Sequence, residues 1–338
     1  MTCPLHVSTW AYMSSRQSIS LLIPNRDAGL YAAECAGSVA PFLSEFEELV
    51  VVDGESSDGS REALFDLARK HPHAKCLVRP PTGVYPAWNL GVAECTSDWL
   101  VILPSDDLLH PAFLNAVRPY IHHGLPITVG LQVIGVGTLP DFPVDVLLSE
   151  NCRPETAWRR NGTCERAVMT LLDCTLISFT QHLLPRQSFE RAGPFDEKVG
   201  NFADNVWYSR MLRCYDIIYV HKTASYWRVR PGQNTTTGIN NYNRWKQMHA
   251  PYVELPKHLR GRAQALDACK AASISLKSRS FTGFSADCHA LLRHPFLSTW
   301  SGLRWLAGAP SPEQRLALAR EYLRGVGIHN WLAPLTGR

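Results

Sequence analysis

Along its first third the chain alternates short, continuously apolar runs with amphipathic stretches. Residues 18–23 (SISLLI) form an apolar run closed by Pro24. Residues 29–43 carry small residues along one helical face, and 48–52 (ELVVV) is a strand pattern ending at Asp53. Residues 60–70 (SREALFDLARK) place Ala63, Leu64, Leu67 and Ala68 on one face of a helix. A third strand is predicted at 75–78, a helix at 85–95, and a fourth strand at 99–103 (WLVIL), closed by Pro104. Unbroken apolar strands alternating with helices predict an α/β fold with a mostly parallel central sheet, helices covering both faces.

Polar residues gather at the predicted strand ends: Pro24-Asn25-Arg26-Asp27, Asp53 to Ser60, and Ser105-Asp106-Asp107. In such sheets, ligands bind beyond the carboxyl ends of the strands. Carboxylates converging on one edge repel each other unless a cation or hydrogen-bond donor satisfies them. Residues 124–192 are less regular, with a β-like run at 127–136 and a polar stretch at 150–165. From Asn240 onward the pattern is helical, interrupted by Pro256, Pro295 and Pro310. The expected division is an N-terminal extension (1–17), a ligand-binding α/β region (18–123), a second region of the same domain (124–239), and a basic helical region (240–338).

Charge and cysteine usage refine this picture. The net charge of +4 is uneven: residues 242–338 hold 14 Lys/Arg against 5 Asp/Glu, a net of +9, which leaves −5 on the rest. A basic segment bearing Trp300, Trp305 and Trp331 suggests docking on an anionic membrane surface; no nucleic-acid partner is expected. The ten cysteines contain no C-x-x-C pair, which argues against a zinc knuckle and for reduced, buried thiols in a cytoplasmic protein. Residues 1–17 lack the apolar core of a signal peptide. The apolar run 167–179 is broken by Asp173, so the protein is expected to be soluble or peripheral on the inner face of the plasma membrane.

Two familiar phosphate motifs are absent. Gly54 to Gly59 lacks the lysine and spacing of a P-loop, and no G-x-G-x-x-G follows the first strand. A divalent cation, Mn²⁺ or Mg²⁺, bridging a diphosphate to Asp106 and Asp107 is the remaining simple solution.

The order of PNRDAG, VVDGESSDGS, GVYPAWNLGVAECTSDWLVILPSDDLLHP and FERAGPFDEKVGNFADNVWYSRML resembles the family-2 glycosyltransferases with the GT-A fold, in particular bacterial polysaccharide-assembly members. The resemblance covers roughly residues 18–233. It implies a soluble enzyme that binds a nucleotide sugar, UDP- or dTDP-linked, and a saccharide or lipid-linked acceptor. Pro24 and Asp27 then lie in the loop lining the base, and Asp53 accepts from a pyrimidine N3–H. Tyr85 and Asn89 approach the ribose and donor sugar. Asp106 and Asp107 match the region meeting ribose and metal, and Arg228 and Arg230 the basic segment closing on the diphosphate. Asp204 matches the catalytic base. Two departures stand out: Pro104 where many members carry the first Asp, and Ala203 where the glutamate preceding the base is usual.

The implied reaction is a single in-line displacement with inversion at the anomeric carbon. A sugar nucleotidyltransferase shares the α/β plan but needs a glycine-rich activation loop that PNRDAG lacks. The two departures leave a non-catalytic alternative, a degenerate member serving as a sugar-binding or scaffold subunit.

Overall fold

Strands β1 (Ile19–Asn25), β2 (Glu48–Asp53), β3 (Ala74–Val78) and β4 (Trp99–Ile102) run parallel in the order β3–β2–β1–β4. Every residue of β1, β2 and β4 is buried, as uninterrupted apolar runs require when helices cover both faces. β3 ends the sheet and is partly exposed. The computed structural model describes residues 17–135, 157–172, 178–200, 203–230, 255–277 and 312–335.

The connections are α1 (Leu30–Val39), α2 (Ser60–Ala68) and α3 (Val84–Glu94). The first helix is shorter than the pattern predicts, and residues Ala40–Glu45 form a 3-10 turn. Pro41 has no N–H to continue the helical ladder, so the regular α-helix ends at Val39 although Ala40 keeps right-handed helical angles. α1 and α2 pack on one face of the sheet, through Ala32, Cys35, Val39, Leu64 and Leu67. α3 covers the other face, where Tyr85 and Trp88 join Leu22, Val50 and Ile102.

The second half of the sheet is mixed. It comprises β5 (Leu108–Leu109), β6 (Ile127–Gly135), β7 (Ala157–Arg160), β8 (His182–Pro185), β9 (Ile217–Val229) and β10 (Leu332–Leu335). The full order is β10–β7–β9–β6–β8–β4–β1–β2–β3, with β5 paired to β9. β8 lies antiparallel to β4 and β6, while β6 and β9 are parallel. The helices here are α4 (Phe113–Val117), α5 (Gly162–Leu172), α6 (Gln187–Ala192) and α7 (Ala203–Met211). They are followed by α8 (Lys257–Lys277), α9 (Pro312–Val326) and α10 (Ile328–Trp331).

The C-terminal region is helical but not a separate layer. Leu259, Leu266, Leu318, Tyr322 and Leu323 pack against Ala167, Val168 and Leu171 of α5. The chain then returns to the central sheet, where β10 pairs antiparallel with β7. Four residues containing Pro334 carry almost no strand signal, and proline fits there because β10 is an edge. The membrane reading of the tryptophans is corrected for Trp331. It is 1% exposed, and its Nε1 donates to Glu165 Oε2 at 2.8 Å. Trp300 and Trp305 lie outside the described residues. No described helix is long and apolar enough to cross a membrane. Cys35, Cys95 and Cys164 are buried free thiols, whereas Cys76 and Cys214 are exposed.

The contact between α3 and β1 depends on Gly91. A Cβ at that position would sit 2.3 Å from Leu22 Cδ1, and Leu22 is fully buried. Gly91→Ala is therefore expected to destabilise the fold by about 1–3 kcal/mol, the usual cost of overpacking. Urea unfolding checks this; an unchanged midpoint would refute the tight approach.

Candidate active site

The parallel register puts Asn25 beside Asp53 and Leu22 beside Ile102. The loops leaving β1, β2 and β4 therefore emerge at one edge of the sheet. They open onto a cavity of about 510 Å³, within the range of small-ligand sites. Its wall takes Pro24 to Asp27 from the loop after β1, Gly54 after β2, Arg79 to Pro81 after β3, and Pro104 to Asp107 after β4. Gly83, Val84, Tyr85 and Trp88 at the start of α3 line it too, with Ser178, Phe179, Asp204, Trp227 and Arg230.

Behind the first two loops lies a polar knot. Asp53 is fully buried; its Oδ2 accepts from Asn25 Nδ2 at 2.7 Å and its Oδ1 from the Ser56 N–H at 2.8 Å. Asn25 Nδ2 also donates to Ser56 Oγ and Ser60 Oγ. The remaining amide oxygen, Asn25 Oδ1, is buried and finds no hydrogen-bond partner among the described residues. In front, Asp27 has φ of 44°, a left-handed conformation that Asp tolerates better than most residues. Ser56 Oγ accepts its N–H, while its carboxylate takes the Ser57 N–H and the Arg26 Nε. A residue held in a sparse backbone region by several bonds is common at ligand sites.

The turn after β4 starts at Pro104, whose carbonyl accepts the Asp107 N–H at 2.9 Å. Asp107 is 1% exposed, and its carboxylate is saturated by neutral donors. Oδ2 takes Ser178 Oγ at 2.7 Å and Thr180 Oγ1 at 2.6 Å, and Oδ1 takes the Arg228 N–H at 2.9 Å. Burial, then the neighbouring Asp106, raise its pKa above the usual carboxylate range. Asp106 is more open: its Oδ2 pairs with Arg230 Nε at 2.9 Å. Arg228 donates Nε to the Asp106 carbonyl and pairs with Glu34 of α1. Both guanidinium groups lie over the Tyr31 ring, at 4.7 Å and 5.4 Å.

These contacts bear on a divalent cation. Among the described residues no cluster of three or more His, Cys, Asp or Glu side chains could hold one. Asp107 has both oxygens committed to O–H and N–H donors and makes a poor ligand. Asp106 fits as a single carboxylate ligand, the mode in which Mg²⁺ keeps waters and substrate phosphates as its other ligands.

On the opposite side, Asp204 sits in the first turn of α7. Its Oδ1 accepts from the Asn205 N–H at 2.7 Å and from Asn205 Nδ2 at 2.8 Å, and Tyr85 lines the same cavity. Burial outweighs these donors and lifts its pKa from 3.8 to about 6. Trp207 is fully buried and stacks on Phe189 at 4.4 Å, so it packs the core.

Of the residues singled out in the sequence, the structure brings Pro24, Asp27, Tyr85, Asp106, Asp107, Asp204 and Arg230 to the cavity wall. Asp53, Asn89 and Arg228 stand behind it. Asn89 holds the loop before α7, receiving the Phe195 N–H at 2.8 Å and donating to the Phe195 carbonyl at 3.0 Å. Sequence reasoning missed Ser178 and Thr180, which have no local signal and reach Asp107 across 71 and 73 positions. It also passed over Arg26, Arg79 and Trp88; the first lies inside the quoted PNRDAG.

Comparison with known proteins agrees with this geometry. A glycosyltransferase of Escherichia coli K12, YibD, is 26% identical over 105 residues, 31% of this chain and 30% of its own. A Mycobacterium bovis glycosyltransferase of PGL/p-HBAD biosynthesis is 32% identical over 95 residues, 28% of this chain and 37% of its own. The matched stretch thus spans about a third of those relatives. Residues 1–349 of S. aureus TarS, solved in complex with UDP-GlcNAc, superpose with a TM-score of 0.62 at 16% identity, over 91% of this chain and 92% of that one. The likeness in structure shows a shared fold. The profile of glycosyl transferase family 2 matches residues 20–191, just over half of the sequence, and the chain belongs to that family.

Proposed function

We propose that the protein is an inverting glycosyltransferase. It moves a sugar, of hexosyl type, from a nucleoside diphosphate sugar to a hydroxyl of a saccharide or lipid-linked saccharide, with Asp204 as the base. One observation carries this reading: a single cavity joins the polar loops of β1 and β4 to a half-buried carboxylate whose pKa is raised to about 6. A base of that strength is ionised at neutral pH and accepts a proton more readily than a free aspartate. A uridine or thymidine donor is the expected class; TarS is solved with UDP-GlcNAc.

The nucleoside end of the donor would rest on the loops bearing Pro24, Asp27, Gly54 and Arg79. Asp53 contributes from behind by holding the Asn25 amide and the Ser56 turn in place. As the acceptor oxygen bonds to the anomeric carbon, its proton passes to Asp204 and the carbon–oxygen bond to the diphosphate breaks on the opposite face. Arg230 lines the same wall and offers a guanidinium to the departing charge, while Arg228 holds the Asp106-Asp107 turn. Mn²⁺ or Mg²⁺ held by Asp106 would neutralise that charge further. The acceptor is proposed to be met at the cytoplasmic face of the plasma membrane in surface-polysaccharide synthesis. The net of +9 on residues 242–338 supports this placement, and flotation with anionic liposomes at low salt tests it.

Asp204→Asn is expected to lower turnover by roughly 10²–10⁴-fold while donor binding persists. Retention of more than about a tenth of the rate, above even the smallest such loss, would move the role to Asp196 or Glu197. Donor binding with neither transfer nor hydrolysis in the wild type would instead indicate the non-catalytic alternative.

The same variant reads out the cost of burying the charge. Because the folded-state pKa of Asp204 lies above its unfolded value, folding favours the protonated form, and the penalty appears as pH rises from about 4 through about 6. Asp204→Asn should therefore raise stability at pH 8 by roughly 1–3 kcal/mol and change it little at pH 4. Thermal unfolding at both pH values checks the sign; equal effects would contradict it.

For the cation, UDP should raise the melting temperature more with Mn²⁺ than with EDTA, and Asp106→Asn should remove the difference. Full transfer activity in chelator would rule the metal out.

A further inference from the structure

Among the described residues, the aromatic side chains on the cavity wall are Tyr85, Trp88, Phe179 and Trp227. The first three are committed to protein. They are buried, and Trp88 packs against Tyr85, Phe179 and Phe195 with ring centroids 5.6 Å, 5.2 Å and 5.4 Å apart. Trp227 differs from them. It is partly exposed, and among the described residues its ring stacks on no other ring, lies under no guanidinium, and finds no acceptor for its indole N–H. Elsewhere the indoles of Trp99, Trp207 and Trp331 each donate to a protein oxygen, at 2.7 Å, 2.8 Å and 2.8 Å. Trp227 therefore presents both a free ring face and a free donor to the cavity.

The topology says which end of the cavity this is. β8 is antiparallel to β4 and to β6, and β9 is parallel to β6, so β9 ends at the same edge as β4. Its last residues are fastened there. Ser225 and Tyr226 pair with β5, directly after the Asp106-Asp107 turn, and the Arg228 N–H bonds Asp107 Oδ1 at 2.9 Å. Side chains alternate along a strand. Tyr226 turns to His110 at 6.1 Å and Arg228 to Tyr31 at 4.7 Å, so Trp227 between them faces the other way, into the cavity. The loops assigned to the nucleoside leave β1, β2 and β3, on one side of β4; β9 lies on the other side. Trp227 thus stands past the turn that meets the diphosphate, at the end where sugars are exchanged.

We propose that Trp227 is the sugar-recognition platform of the site, stacking on the C–H face of a pyranose and offering its indole N–H to a hydroxyl at the ring edge. This rests on the reading of the cavity as a nucleotide-sugar site. An indole is a flat apolar surface with a single donor at its rim. A pyranose is its counterpart, with axial C–H groups on one face and hydroxyls around the edge. A linear polyol or an unglycosylated lipid has no such face, so the platform selects for a sugar ring. That ring is the hexosyl group of the donor or the terminal sugar of the acceptor; the chemistry is shared, and the experiment separates the two.

The test uses the full chain labelled with 5-fluorotryptophan, with the Trp227 signal identified by its loss in Trp227→Phe or, should that variant not fold, Trp227→Tyr. One arm adds UDP-glucose, UDP-galactose or UDP-GlcNAc with Mn²⁺. The other adds the methyl glycosides of the same sugars, with and without UDP and Mn²⁺. An Overhauser contact from sugar C–H protons to the Trp227 fluorine is expected in at least one arm; the first arm assigns the ring to the donor, the second to the acceptor. Contacts from ribose or uracil protons alone, or no contact in either arm, overturn the proposal. Trp227→Ala should weaken binding of the contacting sugar by about three- to tenfold, with Trp227→Phe recovering most of the loss. The thermal shift given by UDP with Mn²⁺ should stay unchanged in both variants; equal weakening of UDP itself also counts against the platform. If neither UDP nor any UDP-sugar raises the wild-type melting temperature, the nucleotide-sugar reading fails, while the glycosides without UDP still report on the ring, so the two failures are separable.

Discussion

The site is organised by the need to bury carboxylates at the edge of a sheet whose central strands β1, β2 and β4 are buried along their whole length. Asp53 and Asp107 are buried where side-chain charge is costly, and each is held by donors from a different part of the chain. Asp53 draws on Asn25 and the turn at Ser56 and so locks the loops of β1 and β2 together. Asp107 draws on Ser178, Thr180 and the Arg228 amide, tying the turn after β4 to the segment before β8 and to the end of β9. Removing any of these donors would leave a buried charge underpaired, which is costlier than never having buried it.

This division separates carboxylates that build the site from those free to act in it. Asp107 has every oxygen answered by a neutral donor, so its charge holds the turn. Asp106, one residue earlier, keeps a single ion pair with Arg230 and stays available to a ligand. Asp204 is lifted by burial as Asp107 is, but it is half-buried on the cavity wall, and its proton affinity lands where a general base is useful. Sequence alone cannot rank adjacent aspartates this way, because the ranking depends on hydroxyls more than seventy positions distant.

The parallel half of the fold was legible because each strand is a continuous apolar run and each helix an amphipathic one. The clustering of polar residues at the strand ends was legible for the same reason, since parallel register brings those ends to one edge. The second half hid itself. β8 and β10 have four residues each and close on prolines or contain one, and β5 has two. Such strands exist because neighbouring strands and helices supply their partners, which is tertiary information. The tryptophans misled in the same way: beside arginines Trp331 reads as a membrane anchor, yet its indole N–H answers the buried Glu165.

α3 serves two surfaces: Gly83, Val84, Tyr85 and Trp88 line the cavity, while Asn89 bonds the loop before α7. The spacing of Tyr85, Trp88 and Asn89 reads equally as a face turned to a ligand or to protein, since helical periodicity reports a shared face and not what covers it. At Asn89 it is the loop 193–200 that covers it. α3 also meets β1 at Gly91, where only a missing side chain lets the helix lie against Leu22. The helix is thus fixed at Gly91 to the strand that feeds the cavity and at Asn89 to the loop that precedes the carboxylate across it. A shift in either contact would change the separation between the β1 loop and Asp204, so the distance across the cavity depends on the fit of this one helix.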